Sequence, residues 1–98
     1  MKLWWVYVLH CNGERLYTGI TTDVCSRYEA HVQGRGARFT RSFPPLALVA
    51  STPCPSQRIA RQLEWQIKQM PVRAKQSVIR SWQLGDAARQ AATAPCSP

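Results

Sequence analysis

The stretch LYTGITTDVCSRYEAH, residues 16–31, decides the fold because it changes period halfway. ERLYTGI (14–20) is rich in β-branched and aromatic residues and reads as a strand ending near Gly19. TTD then offers Thr22 or Asp23 as an N-cap, and a helix follows to about Gln33. Val24, Tyr28 and Val32 recur every four residues, which predicts the core stripe of that helix. Arg27 and His31 lie one turn apart, about 40° from each other around the axis, and Glu29 lies on the other side. A guanidinium and an imidazole therefore share one flank without a local acid. On an arbitrary helix this describes a solvated arginine beside a half-buried histidine.

Upstream, LWWVYVLH (3–10) has no breaker and predicts a strand buried on both faces. The Cys-Asn-Gly that follows it is a turn signal where a leader peptide would carry small residues, so the start reads as a strand. The two strands make a hairpin with two open registers. A two-residue Asn12-Gly13 turn sets Tyr7 opposite Thr18, with Tyr17 on the other face. A three-residue Cys11-Asn12-Gly13 loop sets Tyr7 opposite Tyr17, both phenols on one face.

Downstream, GRGARFTRSFPP (34–45) is a long basic loop with Arg35, Arg38 and Arg41 spaced by three and Phe39 and Phe43 between them. Arginines interleaved with aromatics suit phosphates and unpaired bases. For Phe43, beside two prolines, pinning the loop to the core is the preferred reading. LALVAS (46–51) predicts a third strand, TPCPS a loop, and Ser56 the cap of a long helix to about Met70. Pro71 breaks that helix, and another runs to about Trp82 or Leu84, with Val72, Val78, Ile79 and Trp82 as its core face. Residues 1–84 are expected to form one domain, with 85–98 a loose Ala/Pro-rich tail.

On the long helix Glu64 falls among Ala60, Leu63 and Ile67, on or beside the core face. A carboxylate there needs an ion pair, hydrogen bonds or a metal. Asp23 is wanted as a cap and Glu14 sits by a turn, so Glu64 is the acid placed to face inward.

The net charge of +8 resides in residues 1–84, which hold twelve Lys and Arg against four Asp and Glu. That favours a polyanionic partner, nucleic acid before a membrane surface. No apolar run is long enough to span a bilayer. The four cysteines show no C-x-x-C spacing and fit no zinc pattern. With 45% hydrophobic residues the core is self-sufficient, so reduced thiols in a cytoplasmic protein are expected.

Taken together, Val6-Tyr7-Val8, then Tyr17-Thr18-Gly19, then Arg27-x-x-x-His31 and a later Glu64 resemble a GIY-YIG nuclease domain, over roughly residues 4–80. The strings LYTGITTD, GRGARFTRSFPP and LEWQIKQM resemble its short stand-alone bacterial members. The resemblance implies an α+β fold in ββαβαα order, a small three-stranded antiparallel sheet flanked by about three helices. It implies the register with both phenols on one face. It also implies an endonuclease: hydrolysis of nucleic-acid phosphodiester bonds with one divalent ion, Mg2+ or Mn2+. Tyr7, Tyr17, Arg27, His31 and Glu64 would be the catalytic residues, Glu64 the metal ligand and Gly19 the motif glycine. DNA is the expected substrate, cut by structure rather than sequence, in repair or recombination. A nucleic-acid-binding module without turnover and a protein-docking adaptor are the alternatives.

Overall fold

The structure is a computed structural model that describes residues 2–90, with side chains to Leu84. Its elements are β1 (Trp4–Cys11), β2 (Arg15–Thr21), α1 (Val24–Val32), α2 (Arg38–Ser42), β3 (Pro45–Cys54), α3 (Gln57–Gln69) and α4 (Val72–Gln90). The strands form one antiparallel sheet in the order β2-β1-β3. The α+β class and the three-stranded sheet are as expected, and α2 makes four helices where about three were expected.

β1 is central and buried on both faces. Val6 belongs to a cluster with Cys54, Ala60 and Ile67, against which Leu63, Met70, Val78 and Trp82 pack. Tyr7, Leu9 and Cys11 belong to a second cluster with Val24, against which Tyr17, Tyr28, Phe39 and Phe43 pack. Alternation along β1 therefore sorts α3 and α4 to one face and α1 and α2 to the other. Val6, Val8 and Leu9 are at most 2% exposed, and burying each such side chain is worth about 1.5–3 kcal/mol. α4 is also tied to the edge strand where Gln83 Nε2 donates to the Val49 carbonyl at 2.8 Å.

The hairpin adopts neither expected register. Cys11 pairs with Arg15, so the loop is Asn12-Gly13-Glu14, and Tyr7 faces Gly19 while Leu9 faces Tyr17. Gly13 (φ 77°) and Glu14 (φ 56°) both take left-handed conformations, and a glutamate there is a costly choice that turn propensities disfavour. Relative to the three-residue expectation the pairing slips by two residues, so that Tyr7 meets Gly19 and not Tyr17. It preserves parity, so Tyr7 and Tyr17 stay on one face.

Other expectations are corrected. β3 extends to Cys54, through Thr52-Pro53 that read as loop; β3 is an edge strand, where proline costs no ladder bond. The basic loop contains α2. On α1, Val32 is 52% exposed and His31 is 1% exposed, so the buried stripe runs Val24, Tyr28, His31. Val72 is 62% exposed and leaves the core face of α4. α4 continues past Leu84 to Gln90: Gly85 costs only about 1 kcal/mol, and beyond Asp86 the residues Ala87, Ala88, Arg89 and Gln90 are good helix formers. The rest of the expected tail lies outside the described residues. Cys11 and Cys54 are free, buried thiols.

Candidate active site

Tyr7 is 1% exposed, so its hydroxyl must be paired inside the protein. It lies 2.8 Å from His31 Nε2, and His31 Nδ1 lies 2.7 Å from Thr40 Oγ1. The direction of these bonds follows from proton counting. Thr40 has one hydroxyl proton and donates it to the Ala37 carbonyl at 2.9 Å. Its oxygen therefore accepts from His31 Nδ1–H. His31 Nε2 then carries the lone pair and accepts from the Tyr7 O–H.

The electrostatics agree with that chain. Burial holds His31 down to about 4, with the Arg27 guanidinium acting in the same direction, so the imidazole is neutral at pH 7. Burial pushes the Tyr7 phenol up to about 12, helped by Tyr17 and opposed by a hydrogen bond and the charge of Arg27; Glu64 adds a small upward push. Tyr7 thus keeps its proton at neutral pH. Four other candidate side chains act on its hydroxyl: His31 and Arg27 through hydrogen bonds, Tyr17 and Glu64 through space.

The backbone makes room for this convergence. Opposite Tyr7 stands Gly19, and a Cβ there would lie 2.5 Å from Tyr7 Oη, 2.7 Å from its Cζ and 3.1 Å from Tyr17 Cε2. The Tyr7 and Tyr17 rings are 6.4 Å apart, and Tyr17 meets the edge of His31 at 5.2 Å. The Tyr17 hydroxyl makes no hydrogen bond among the described residues and is not buried. Tyr7 is enclosed and proton-donating; Tyr17 presents its oxygen outward.

α3 supplies the remaining charges. Glu64 is 22% exposed and its Oε2 lies 3.2 Å from Lys68 Nζ, one turn on. Of the partners such a carboxylate needs, Glu64 thus has an ion pair, with a lysine of its own helix. Lys68 Nζ also lies 5.9 Å from the centre of the Tyr17 ring. Among the described residues no three His, Cys, Asp or Glu side chains gather to hold a metal. One partly exposed carboxylate is instead the donor set of an ion that keeps most of its waters, as Mg2+ does. Glu64 fits that mode, with Lys68 as its competitor.

The sequence-predicted residues thus divide. Tyr7, Tyr17, Gly19, Arg27, His31 and Glu64 come together. Arg35, Arg38 and Arg41 are exposed around α2, outside that cluster. Phe39 does not stand free: it stacks on Tyr17 at 5.7 Å and packs on the core. Phe43 lies 5.2 Å from Phe39 with Arg15 over its ring at 4.1 Å, so it pins the loop as expected. Three residues were missed. Thr40, 1% exposed, fixes the His31 tautomer from within a segment that reads as a solvated arginine loop. Gly36 lies against His31 so closely that a Cβ would overlap the ring. Lys68 was legible only as the i+4 neighbour of Glu64.

A buried Tyr-His-Thr chain thus links β1, α1 and α2, with Arg27 of α1 and Glu64 of α3 acting on its phenol. The family model of the GIY-YIG catalytic domain matches residues 3–75, and the chain belongs to the GIY-YIG family. Within it, the chain is similar to the UPF0213 proteins. A UPF0213 protein of Xanthomonas campestris is 38% identical over 97 residues, 99% of this chain and 95% of that one. The UPF0213 protein YhbQ of Escherichia coli is 38% identical over 79 residues, 81% of this chain and 79% of that one. The solution NMR structure of the UPF0213 protein BH0048 from Bacillus halodurans is 37% identical, with a TM-score of 0.52 over 80% of this chain and 83% of that one. Membership places the chain in a nuclease superfamily that acts on nucleic acid. No helix among the described residues is long and apolar enough to cross a membrane.

Proposed function

We propose that residues 1–84 form a metal-dependent endonuclease unit that hydrolyses DNA phosphodiester bonds and selects by structure, in repair or recombination. The observation that carries this reading is the convergence of His31, Arg27, Tyr17 and Glu64 on the Tyr7 hydroxyl. Hydrolysis needs an activated water, a counter-charge for the phosphoryl oxygens and help for the leaving oxygen. Tyr17, beside Lys68, is the residue placed to take a proton from water, acting as its phenolate. Tyr7 is excluded from that task, since its proton is committed to His31 and firmly held. It positions Arg27, whose forked donors suit the phosphoryl oxygens. His31 is a neutral acceptor held by Thr40, so it orients Tyr7 and does not bind phosphate as a cation. Glu64 would hold Mg2+ or Mn2+, which supplies Lewis-acid polarisation of a phosphate oxygen when bound.

The Glu64–Lys68 ion pair favours a second reading, a nucleic-acid-binding module with little turnover, because Lys68 neutralises the one carboxylate at the site. One assay separates the two. Branched, nicked and single-stranded DNA are incubated with Mg2+ or Mn2+ and wild type, Glu64→Ala or Tyr17→Phe. The enzyme reading expects cutting by wild type alone. If wild type leaves every substrate intact, the binding-module reading replaces it.

A further inference from the structure

α3 carries a second surface that the candidate site does not use. Its inward arc is Ala60, Leu63 and Ile67, and Glu64 and Lys68 border that arc. Turning further round the helix, Arg61, Trp65 and Arg58 follow in order, and with Gln62 and Gln66 they line a shallow depression of about 560 Å³. Trp65 is 65% exposed. Tryptophan is among the more buried residue types on average, so a bare indole facing solvent is unusual. Among the described residues no ring or cation covers it, and neither Arg58 nor Arg61 has an ion-pair partner. α3 contains one acid, Glu64, and that one is paired.

We propose that this face of α3 binds an unpaired strand of nucleic acid, one base stacked on Trp65 and the adjoining phosphates on Arg58 and Arg61. The charge argues for the occupant: two unpaired arginines without an acid, on a chain of net charge +8, call for a polyanion. The indole calls for a flat ring, and a nucleotide brings both. The two glutamines flanking Trp65 offer amide donors and acceptors to base edges. Arg58, Arg61 and Trp65 advance along the axis by about 4.5 Å and then about 6 Å, and the same arc continues to Lys68 and Glu64. A strand on this surface therefore leads into the candidate site, so the inference rests on the nucleic-acid reading of that site. It narrows the substrate class to nucleic acid with an unpaired segment beside the bond to be cut.

The test is binding of a labelled oligothymidylate by fluorescence anisotropy, without divalent metal, for the full chain and its variants over a range of salt. Trp65→Ala should weaken binding roughly tenfold, the scale of one lost base stack, and Trp65→Phe should restore most of it. A duplex of equal length should bind Trp65→Ala as it binds wild type. Arg58→Ala/Arg61→Ala should flatten the salt slope by roughly 1.4. Thermal unfolding should be unchanged in each, since these side chains are exposed. Undiminished oligothymidylate binding by Trp65→Ala, or an equal loss on duplex, overturns the proposal. Neither result depends on cleavage: a protein that binds through Trp65 yet never cuts DNA sinks the nuclease reading and supports this one.

Discussion

At the scale of the residue, Tyr7 and Tyr17 look equivalent in the sequence and behave differently in the fold. Tyr7→Phe removes the donor to His31 Nε2 and leaves a buried acceptor unpaired, which should cost about 1–3 kcal/mol. Tyr17→Phe removes a hydroxyl that is not buried, and should change stability by less than about 0.5 kcal/mol. Urea unfolding of the two variants checks this. Equal losses would mean that the hydrogen-bond chain does not direct the Tyr7 proton as assigned. His31 gives a pH signature. Its folded value, about 4, lies below the ordinary 6.5. Between these values the unfolded chain takes up a proton that the folded one refuses. The contribution is therefore complete above pH 6.5 and is lost as pH falls toward 4. Between pH 7 and pH 4.5 the loss should be on the order of 2 kcal/mol. The difference between wild type and His31→Gln, followed across that range, isolates it. Arg27 and His31 were legible as a pair from their spacing alone. The depth of His31 was not, because the residue that buries and orients it, Thr40, stands nine positions away in a segment whose arginines signal solvent.

At the scale of the element, the hairpin shows what a pattern can and cannot specify. Period-2 alternation identifies both strands and leaves two parities to choose between. The actual pairing uses a loop one residue further on, with Glu14 left-handed, which no turn preference selects. The shared face of the phenols, which the pattern left open and the family resemblance implied, holds, although their direct pairing does not. Glu64 was legible because its helical neighbours are apolar, while its partner Lys68 required knowing which way α3 faces the sheet. Gly19 is the element-scale test of the register. Gly19→Ala drives a Cβ into the Tyr7 hydroxyl and the Tyr17 ring edge, and both rings are packed against the core. The expected cost is about 1–3 kcal/mol, with a change in near-ultraviolet circular dichroism as the tyrosines shift. Had Tyr7 faced Tyr17 directly, position 19 would stand opposite Trp5, and a Cβ there would not be aimed at the Tyr7 hydroxyl. Thermal unfolding of this one variant decides between the registers.

At the scale of the whole molecule, two groups of exposed arginines lie outside the candidate cluster, around different helices. One is Arg35, Arg38 and Arg41 around α2; the other is Arg58 and Arg61 on α3. The longest extent of the molecule is 34 Å, about one helical turn of duplex DNA. A body of that size contacts a limited run of phosphates, so its affinity should depend on most of its basic side chains together. Arg35→Ala/Arg38→Ala should lower the slope of log affinity against log salt by roughly 1.4 on single strands and roughly 1.8 on duplex. Trp65→Ala should lower affinity for single strands and leave the slope where it was, since an indole displaces no counterion. Salt titration of nicked duplex and single-stranded DNA with these variants checks the division. A slope untouched by loss of Arg35 and Arg38 would remove the α2 side from the interface and leave α3 as the sole track along which a strand reaches Tyr17.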